Sequence, residues 1–444
     1  MNKVDDRRAI TIGIIVASAM LLLVFFKATA FAAPPASLQD AGPDPEVLGE
    51  AIDAAATWLI EIHRNADGGF SSFSAGAELA PSDIGGTLDA LWALGVVGTD
   101  TGPSLAYLEE NSEQLAEYVA QDGSTAGKAA MALVAAGQEV SDFAGIDVAV
   151  ALTGHISPTG QIGVSTAFNQ SLAMMGLSIA DQPVPAESVA WLLAQQETEG
   201  DLAGSWDDGF GTAGNIDSTA LALVGLLVSG SDETEEAIVA GLDFLHSAQL
   251  ESGGWEYASG FGENANSTAM VVLALTFLGE DQLSEDSRWV KNGVSPLEAL
   301  LAWQGESGAF QADFGEGPFD DFFSTVQSLP VLGFHYMRTT GEPAQAAAVP
   351  EMTPTSTAAA DEETATPAEP TETPMPTEEP ATATPETIAE TLPSPQPESS
   401  TDDNATSADV AAESNSTLPL ILGIGAAVVV VGFLYWVISR RREA

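Results

Sequence analysis

The sequence contains no cysteine. Disulfide scaffolding, thiol catalysis and cysteine-ligated zinc or iron–sulfur sites are therefore excluded. Four histidines leave little for a histidine metal cage. Basic residues are almost as scarce. Twelve Lys and Arg stand against 64 Asp and Glu, for a formal charge of −52. From residue 33 to residue 439 only Arg64, Lys128, Arg288, Lys291 and Arg338 are basic. No surface for neutralising phosphates can be assembled from these, so nucleic-acid partners are excluded. Aromatics make up 7% of the chain while apolar residues make up 45%, so the core must be built of Ala, Leu and Val, which favours helices.

What is present is organised in segments. Lys3, Arg7 and Arg8 precede an uncharged apolar run, Ala9 to Phe26, and the small-residue ending Ala30-Phe31-Ala32. Residues 1–32 thus read as an export signal cut after Ala32. Leu418 to Ser439 carries no charge, and Arg440-Arg441-Arg442 follows it. At about 1.5 Å per residue such a run is long enough to span a bilayer. The arginines place residues 440–444 in the cytoplasm and all that precedes Leu418 outside. Residues 341–417 are rich in Thr, Pro and Glu and poor in branched aliphatics, the composition of a disordered stalk. The expectation is a single-pass protein of the cell membrane with its N-terminal domain outside.

Residues 45–340 repeat themselves. In the clearest copy an amphipathic segment, Ala237 to Gln249, leads to Gly253-Gly254-Trp255. A capped and almost wholly apolar segment then runs from Asn266 to Leu278. Related units run from Ala51 to Thr87, Leu105 to Thr125, Phe143 to Thr166, Ser188 to Thr219 and Leu297 to Thr325. Each pairs an amphipathic helix with an apolar one. Closing six such hairpins into a ring puts the apolar helices inside and the amphipathic ones outside. The fold class predicted is an all-α, six-hairpin α/α toroid, followed by the stalk and a transmembrane helix; an open superhelix is the alternative.

The stretch Gln249 to Trp255 resembles the Gln-Trp repeat of the squalene cyclase and protein prenyltransferase superfamily. Gln195 to Trp206 is similar with a longer gap, and Phe70 and Phe310 stand where degenerate copies carry Phe for Trp. The resemblance implies the same toroid, shared with cobalamin-binding transport proteins. It also implies structural roles for Gln195, Trp206, Gln249, Gly254 and Trp255. It does not bring chemistry with it. The Asp-x-Asp-Asp motif with which triterpene cyclases start a carbocation is absent, as are Asp-Asp-x-x-Asp and the cysteine of a prenyltransferase zinc site.

Polar residues near the starts of the inner helices mark one mouth of the ring. Asp83, Asn169, Asp217, Asn266 and Asp320 are read as ligand-binding positions, with Trp92 as the main aromatic inside. Asp83, Asp217, Asp320 and Asp321 are the catalytic candidates, since glycoside hydrolysis needs two carboxyl groups about 5 to 10 Å apart. As first-turn acids the same residues would also serve as helix caps. No metal site or cofactor is expected. The turns at Asn65 to Gly69 and Asp207 to Gly209 admit weakly bound Ca²⁺ only. The reading favours a non-catalytic module that binds an extracellular small molecule, glycan or protein. A carbohydrate-active hydrolase or lyase is the alternative, and a degenerate terpene-cyclase-like protein is the third.

Overall fold

A computed structural model describes residues 42–344 except 73, 76, 77, 165 and 314–316. The segments read as export signal and transmembrane helix, and nearly all of the stalk, lie outside the described residues. Among the described residues no helix is long and apolar enough to cross a membrane.

Among the described residues thirteen α-helices make up six hairpins. The outer member of the first is α1 (Pro45–Trp58), which runs on into a π turn at Leu59–His63. Its inner member is α2 (Ile84–Val96). The second has its outer helix broken at Asn111 into α3 (Gly102–Glu110) and α4 (Ser112–Val119), followed by inner α5 (Gly123–Ala135). Then come α6 (Val148–Gly154) with α7 (Ala167–Ile179), and α8 (Ala186–Leu193) with α9 (Ile216–Val228). The last two pairs are α10 (Glu235–Ala248) with α11 (Ala265–Leu278), and α12 (Pro296–Leu301) with α13 (Phe322–Thr340).

The ring closes. Inner helices α2, α5, α7, α9, α11 and α13 each pack on the next, and α13 packs back on α2. The open superhelix is thereby excluded. Burial explains the arrangement. Every residue of α11 from Ser267 to Phe277 is buried, whereas α10 buries only a stripe that includes Ala237, Gly241, Leu242, Phe244 and Leu245. A helix apolar on all sides must be covered on all sides. Two short antiparallel ribbons sit in loops before inner helices: β1 (Ser74–Ala75) with β2 (Glu78–Leu79), and β3 (Gln311–Ala312) with β4 (Phe319–Asp320).

One hydrogen-bond unit recurs at the start of the inner helices. The backbone N–H of Phe70, Trp206, Trp255 and Phe310 donates to Oγ1 of Thr87, Thr219, Thr268 and Thr325, at 2.9, 3.0, 3.0 and 2.9 Å. Each of these threonines in turn donates to the carbonyl of the cap residue four positions earlier. Thr166, read from the sequence as the third-copy equivalent, is itself the cap. Gln170 takes the threonine's place, its Oε1 accepting from the N–H of Ile162.

Glutamines join hairpin to hairpin. Gln249 Nε2 donates to Gly253 O within its own turn and to Trp289 O in the approach to α12. Gln304 does the same for Gly308 O and Ala51 O, linking the last hairpin to the first. In the fourth copy the bridging residue is Gln196, which reaches Gly204 O and Ala237 O. This corrects the assignment of Gln195, which is exposed, with its amide only 3.5 Å from Trp191 O. The extra residues between Gln196 and Trp206 hide the register. The turn glycines are packed tightly. At Gly204, which has φ +95°, an added Cβ would lie 2.2 Å from Ala240 O in the next outer helix. Trp206 and Trp255 are fully buried, and their indole N–H groups donate to Leu192 O and Leu245 O. Gly254 has no room for a side chain beside Thr268 Oγ1 and Glu263 Oε1.

Candidate active site

The outer helices lead into inner helices that all run the same way, so the six inner N-termini gather at one end. Their caps are Asp83, Asp122, Thr166, Asn215, Asn264 and Asp321, and each side chain accepts from a backbone N–H two or three residues on. Counting from the cap defines the face toward the ring axis. The residues two positions on are Gly85, Ser124, Phe168, Asp217, Asn266 and Phe323. All six keep partial exposure, while the residues beside them, Asn169 apart, are buried. Four residues deeper, on the same face, lie Asp89, Lys128, Leu172, Leu221, Met270 and Gln327. Asp89 and Lys128 retain 18% and 19% side-chain exposure at this depth. Half-buried Trp92 lies a further turn down α2. An opening therefore enters the ring at the caps and continues between α2 and α5 for about 10 Å. Beneath it the wall is apolar, ending in the ring contact of Phe277 with Phe334 at 5.1 Å between centroids.

The sequence candidates separate on this frame. Asp217, Asn266 and Trp92 share the axial face. Asp83 is a cap whose carboxylate is fully engaged, accepting from Gly86 N, Ser72 N and Ser72 Oγ. Asp321 caps α13 in the same way, through Ser324 N and Oγ. Asp320 is exposed on β4, accepting from the Gln311 amide. Asn169 follows Phe168 on α7, and its N–H donates to Thr166 Oγ1. The five polar residues read as equivalent thus occupy different places in their repeats. Both turns read as Ca²⁺ candidates use their carboxylates on their own backbone: Asp67 accepts from Gly69 N, and Asp207 from Gly209 N. Among the described residues no group of three or more His, Asp and Glu is placed to hold a metal.

Three polar arrangements face the axis. Asn266 donates to Gln327 Oε1 at 2.8 Å, and its Oδ1 lies 2.8 Å from Ser324 Oγ, whose one hydrogen is shared with Asp321, so its amide is oriented. Lys128 pairs with Asp89 at 2.8 Å and hydrogen-bonds Tyr118. Burial works against the Lys128 ammonium, but Asp89 and Tyr118 outweigh it and hold its pKa above the ordinary lysine range. The third is Asp217. Its Oδ1 is buried with no hydrogen bond of good geometry, and so is Ser267 Oγ on the neighbouring inner helix. Burial raises the Asp217 carboxyl to about 6, against a small opposing effect of the Ser267 hydroxyl. Of the four catalytic candidates, Asp217 is the one not consumed by capping or a surface bond. On the α5 side of the site, the sequence offered Asp89 as one of the carboxylates near the inner-helix starts but not its partners Lys128 and Tyr118. The six-residue step from cap to Asp89, Lys128 and Gln327 was the available signal.

No protein-family model matches the sequence, and no curated protein matches it. The structure does have neighbours. A type II terpene cyclase, MstE from Scytonema, superposes with a TM-score of 0.51 at 15% identity, over 67% of this chain and all of that one. A point variant of the same cyclase gives a TM-score of 0.50 over 66% of this chain and 98% of that one, again at 15% identity. The fold is a terpene-cyclase-like α/α toroid. An ent-copalyl diphosphate synthase from Streptomyces platensis matches more loosely, with a TM-score of 0.41 at 15% identity over 60% of this chain and 53% of that one. At these identities the likeness is one of fold. The toroid's residues have to supply the case for any activity.

Proposed function

We propose that this toroid is cyclase-like, taking an apolar polyprenyl chain into its axial opening and protonating it from Asp217. The observation that carries the reading is the state of that carboxyl. It lies on the axial face, one buried oxygen is unpartnered, and burial raises its pKa to about 6. Such a group keeps its proton to higher pH than an ordinary aspartate. The stretch Asn215-Ile216-Asp217-Ser218 keeps the spacing of Asp-x-Asp-Asp, with an aspartate at the middle position only.

The step is a proton transfer. The Asp217 O–H bond breaks as a C–H bond forms at a terminal alkene carbon at the expense of its π bond or, more easily, as an epoxide oxygen takes the proton and its C–O bond opens; solvent later returns a proton to Asp217. The cation then closes on the next double bond. Loss of a ring-adjacent proton to water ends the sequence, so the net change is an isomerisation. Trp92 and the Phe277–Phe334 pair supply π faces along the wall for a passing cation. The oriented Asn266–Gln327 pair and the neutralised Lys128–Asp89 pair offer no free base to quench it. This reading moves ahead of the binding module and the carbohydrate-active enzyme preferred from the sequence. The carbohydrate-active reading loses support because Asp83 and Asp321 are committed to caps and Asp320 to the surface.

Binding without turnover is the second reading. It is favoured by Asn215 and Ser218, which stand where the four-residue motif carries carboxylates and leave Asp217 without acidic neighbours in the motif. Incubation of the full chain with squalene, 2,3-oxidosqualene and geranylgeraniol separates the two. Cyclised product that is lost in Asp217→Asn supports the cyclase. A thermal shift with the same compounds and no product supports binding alone, and neither effect would refute both.

A further inference from the structure

We propose that Tyr118 selects, among polyprenyl chains, those that carry a neutral acceptor oxygen at the end remote from the alkene that Asp217 protonates. The inference rests on the reading of the toroid as a receptor for such a chain, and it adds the chemistry of the chain's second end.

A hydroxyl from an outer helix stands on the inner wall. Tyr118 belongs to α4, an outer helix, and is half-buried. Gly85 is the axial-face residue two positions past the cap of α2. A Cβ built at Gly85 would lie 3.5 Å from both Cε2 and Oη of Tyr118. The phenol therefore reaches the place that a side chain of α2 would take, in the gap between α2 and α5. The inner helices follow one another round the ring, so α2, the first, stands across from α9, the fourth. Gly85 and Asp217 are each two residues past their caps. Tyr118 Oη and the Asp217 carboxyl thus lie at similar depth on opposite sides of the opening.

The polar groups around the phenol are already engaged. Asp83 serves Gly86 N and Ser72, and Ser124 Oγ donates to Asp122 Oδ1 at 2.6 Å. Lys128 meets both oxygens of Asp89, at 2.8 and 3.0 Å, and hydrogen-bonds Tyr118. An ammonium has no lone pair, so Lys128 is the donor in that bond and Tyr118 Oη the acceptor. The phenol's own hydrogen is left over, and among the described residues no carbonyl or carboxylate takes it. The adjacent ammonium polarises this O–H and makes it a better donor. What it lacks is an acceptor oxygen: a ketone, ester, ether or hydroxyl. Asp89 cancels the Lys128 charge, so a neutral oxygen fits here and an anionic group does not. A plain hydrocarbon in the same place would shut water away from the O–H without meeting it. Tyr118 takes no part in the proton transfer, so a hydrocarbon remains a substrate but is held less tightly.

The probes are geranylgeranylacetone, whose ketone lies at the end opposite its terminal alkene, and the hydrocarbon with a methylene in place of that carbonyl. Dissociation constants are taken from thermal-shift titrations of full-length Asp217→Asn, in which no turnover is expected. The ketone should bind roughly three- to tenfold more tightly, the effect of one hydrogen bond to a desolvated donor. Adding Tyr118→Phe keeps the ring and the Lys128–Asp89 pair. It should bring the ketone down to the hydrocarbon and leave the hydrocarbon unchanged. Equal binding of the two probes by Asp217→Asn overturns the proposal, as does failure of both to bind, and this comparison needs no change at 118. A loss shared by both probes in Tyr118→Phe also overturns it, since a residue that only packs would give that result. Turnover of the ketone by wild type is scored separately. A ketone preference without cyclised product sinks the acid role of Asp217 and leaves Tyr118 as the selector of a binding module. Cyclised product without a preference does the reverse.

Discussion

The side-chain amide of Gln304 donates to the carbonyl of Ala51 at 2.8 Å, a bond between the last hairpin and the first. It repeats at the ring's seam what Gln196 and Gln249 do at internal junctions. The seam is therefore built like any other joint, and six repeats fill the circle.

This predicts a graded glutamine series. Gln196→Ala and Gln304→Ala each orphan carbonyls at a hairpin junction and should cost about 1–3 kcal/mol in denaturant unfolding. Gln195→Ala should lie within about 0.5 kcal/mol of wild type, as expected of an exposed site. Equal effects at 195 and 196 would contradict the assignment.

The threonine relay predicts a second series. Thr268 Oγ1 accepts from Trp255 N–H and donates to Asn264 O. Thr268→Val removes the oxygen and leaves the buried Trp255 N–H unmet, while Asn264 O keeps the backbone N–H of residue 268, for about 1–3 kcal/mol. Thr268→Ser keeps the hydroxyl and should recover most of it, read as the midpoint of chemical denaturation.

The interior ion pair predicts non-additivity. Lys128→Met leaves Asp89 without its counter-charge beside the axis, a change worth about 3–5 kcal/mol. Adding Asp89→Leu to the same chain should restore most of that stability. A double-mutant cycle on thermal unfolding measures the coupling.

Asp217 makes stability depend on pH. Its folded pKa of about 6 lies above the unfolded value of 3.8, so the folded state holds the proton more tightly. The group imposes no penalty below the unfolded pKa. The penalty grows as pH rises from about 4 to about 6 and is complete above that, at about 3 kcal/mol. Asp217→Asn should therefore raise Tm at pH 7.5 and leave it nearly unchanged at pH 4.

The ring was legible because two periods coincide in the sequence: helical spacing within each segment and the return of Thr beside an apolar run. Trp206, Trp255, Phe70 and Phe310 were identifiable because glycine marks the tight turn before each. Register was harder. Thr166 and Thr219 look alike in sequence, yet one caps its helix and the other sits four residues past its cap. Choosing between Gln195 and Gln196 required knowing which faced Ala237. The axial face was mixed with the capping positions for the same reason. An aspartate at a helix start looks the same whether its oxygens serve the backbone, as in Asp83, or the cavity, as in Asp217. Lys128 was hard to see as a site because its partner Asp89 is 39 residues away in the chain, and only the shared six-residue step from each cap relates them.

The most direct test of the cyclase-like reading is turnover in deuterated water. Wild-type chain given squalene should release a cyclised product with one deuterium bonded to carbon at the site of protonation. Asp217→Asn should still show a ligand-induced thermal shift but yield no labelled product. Cyclisation that persists in Asp217→Asn, or a ligand that binds wild type and leaves unchanged, would contradict the account.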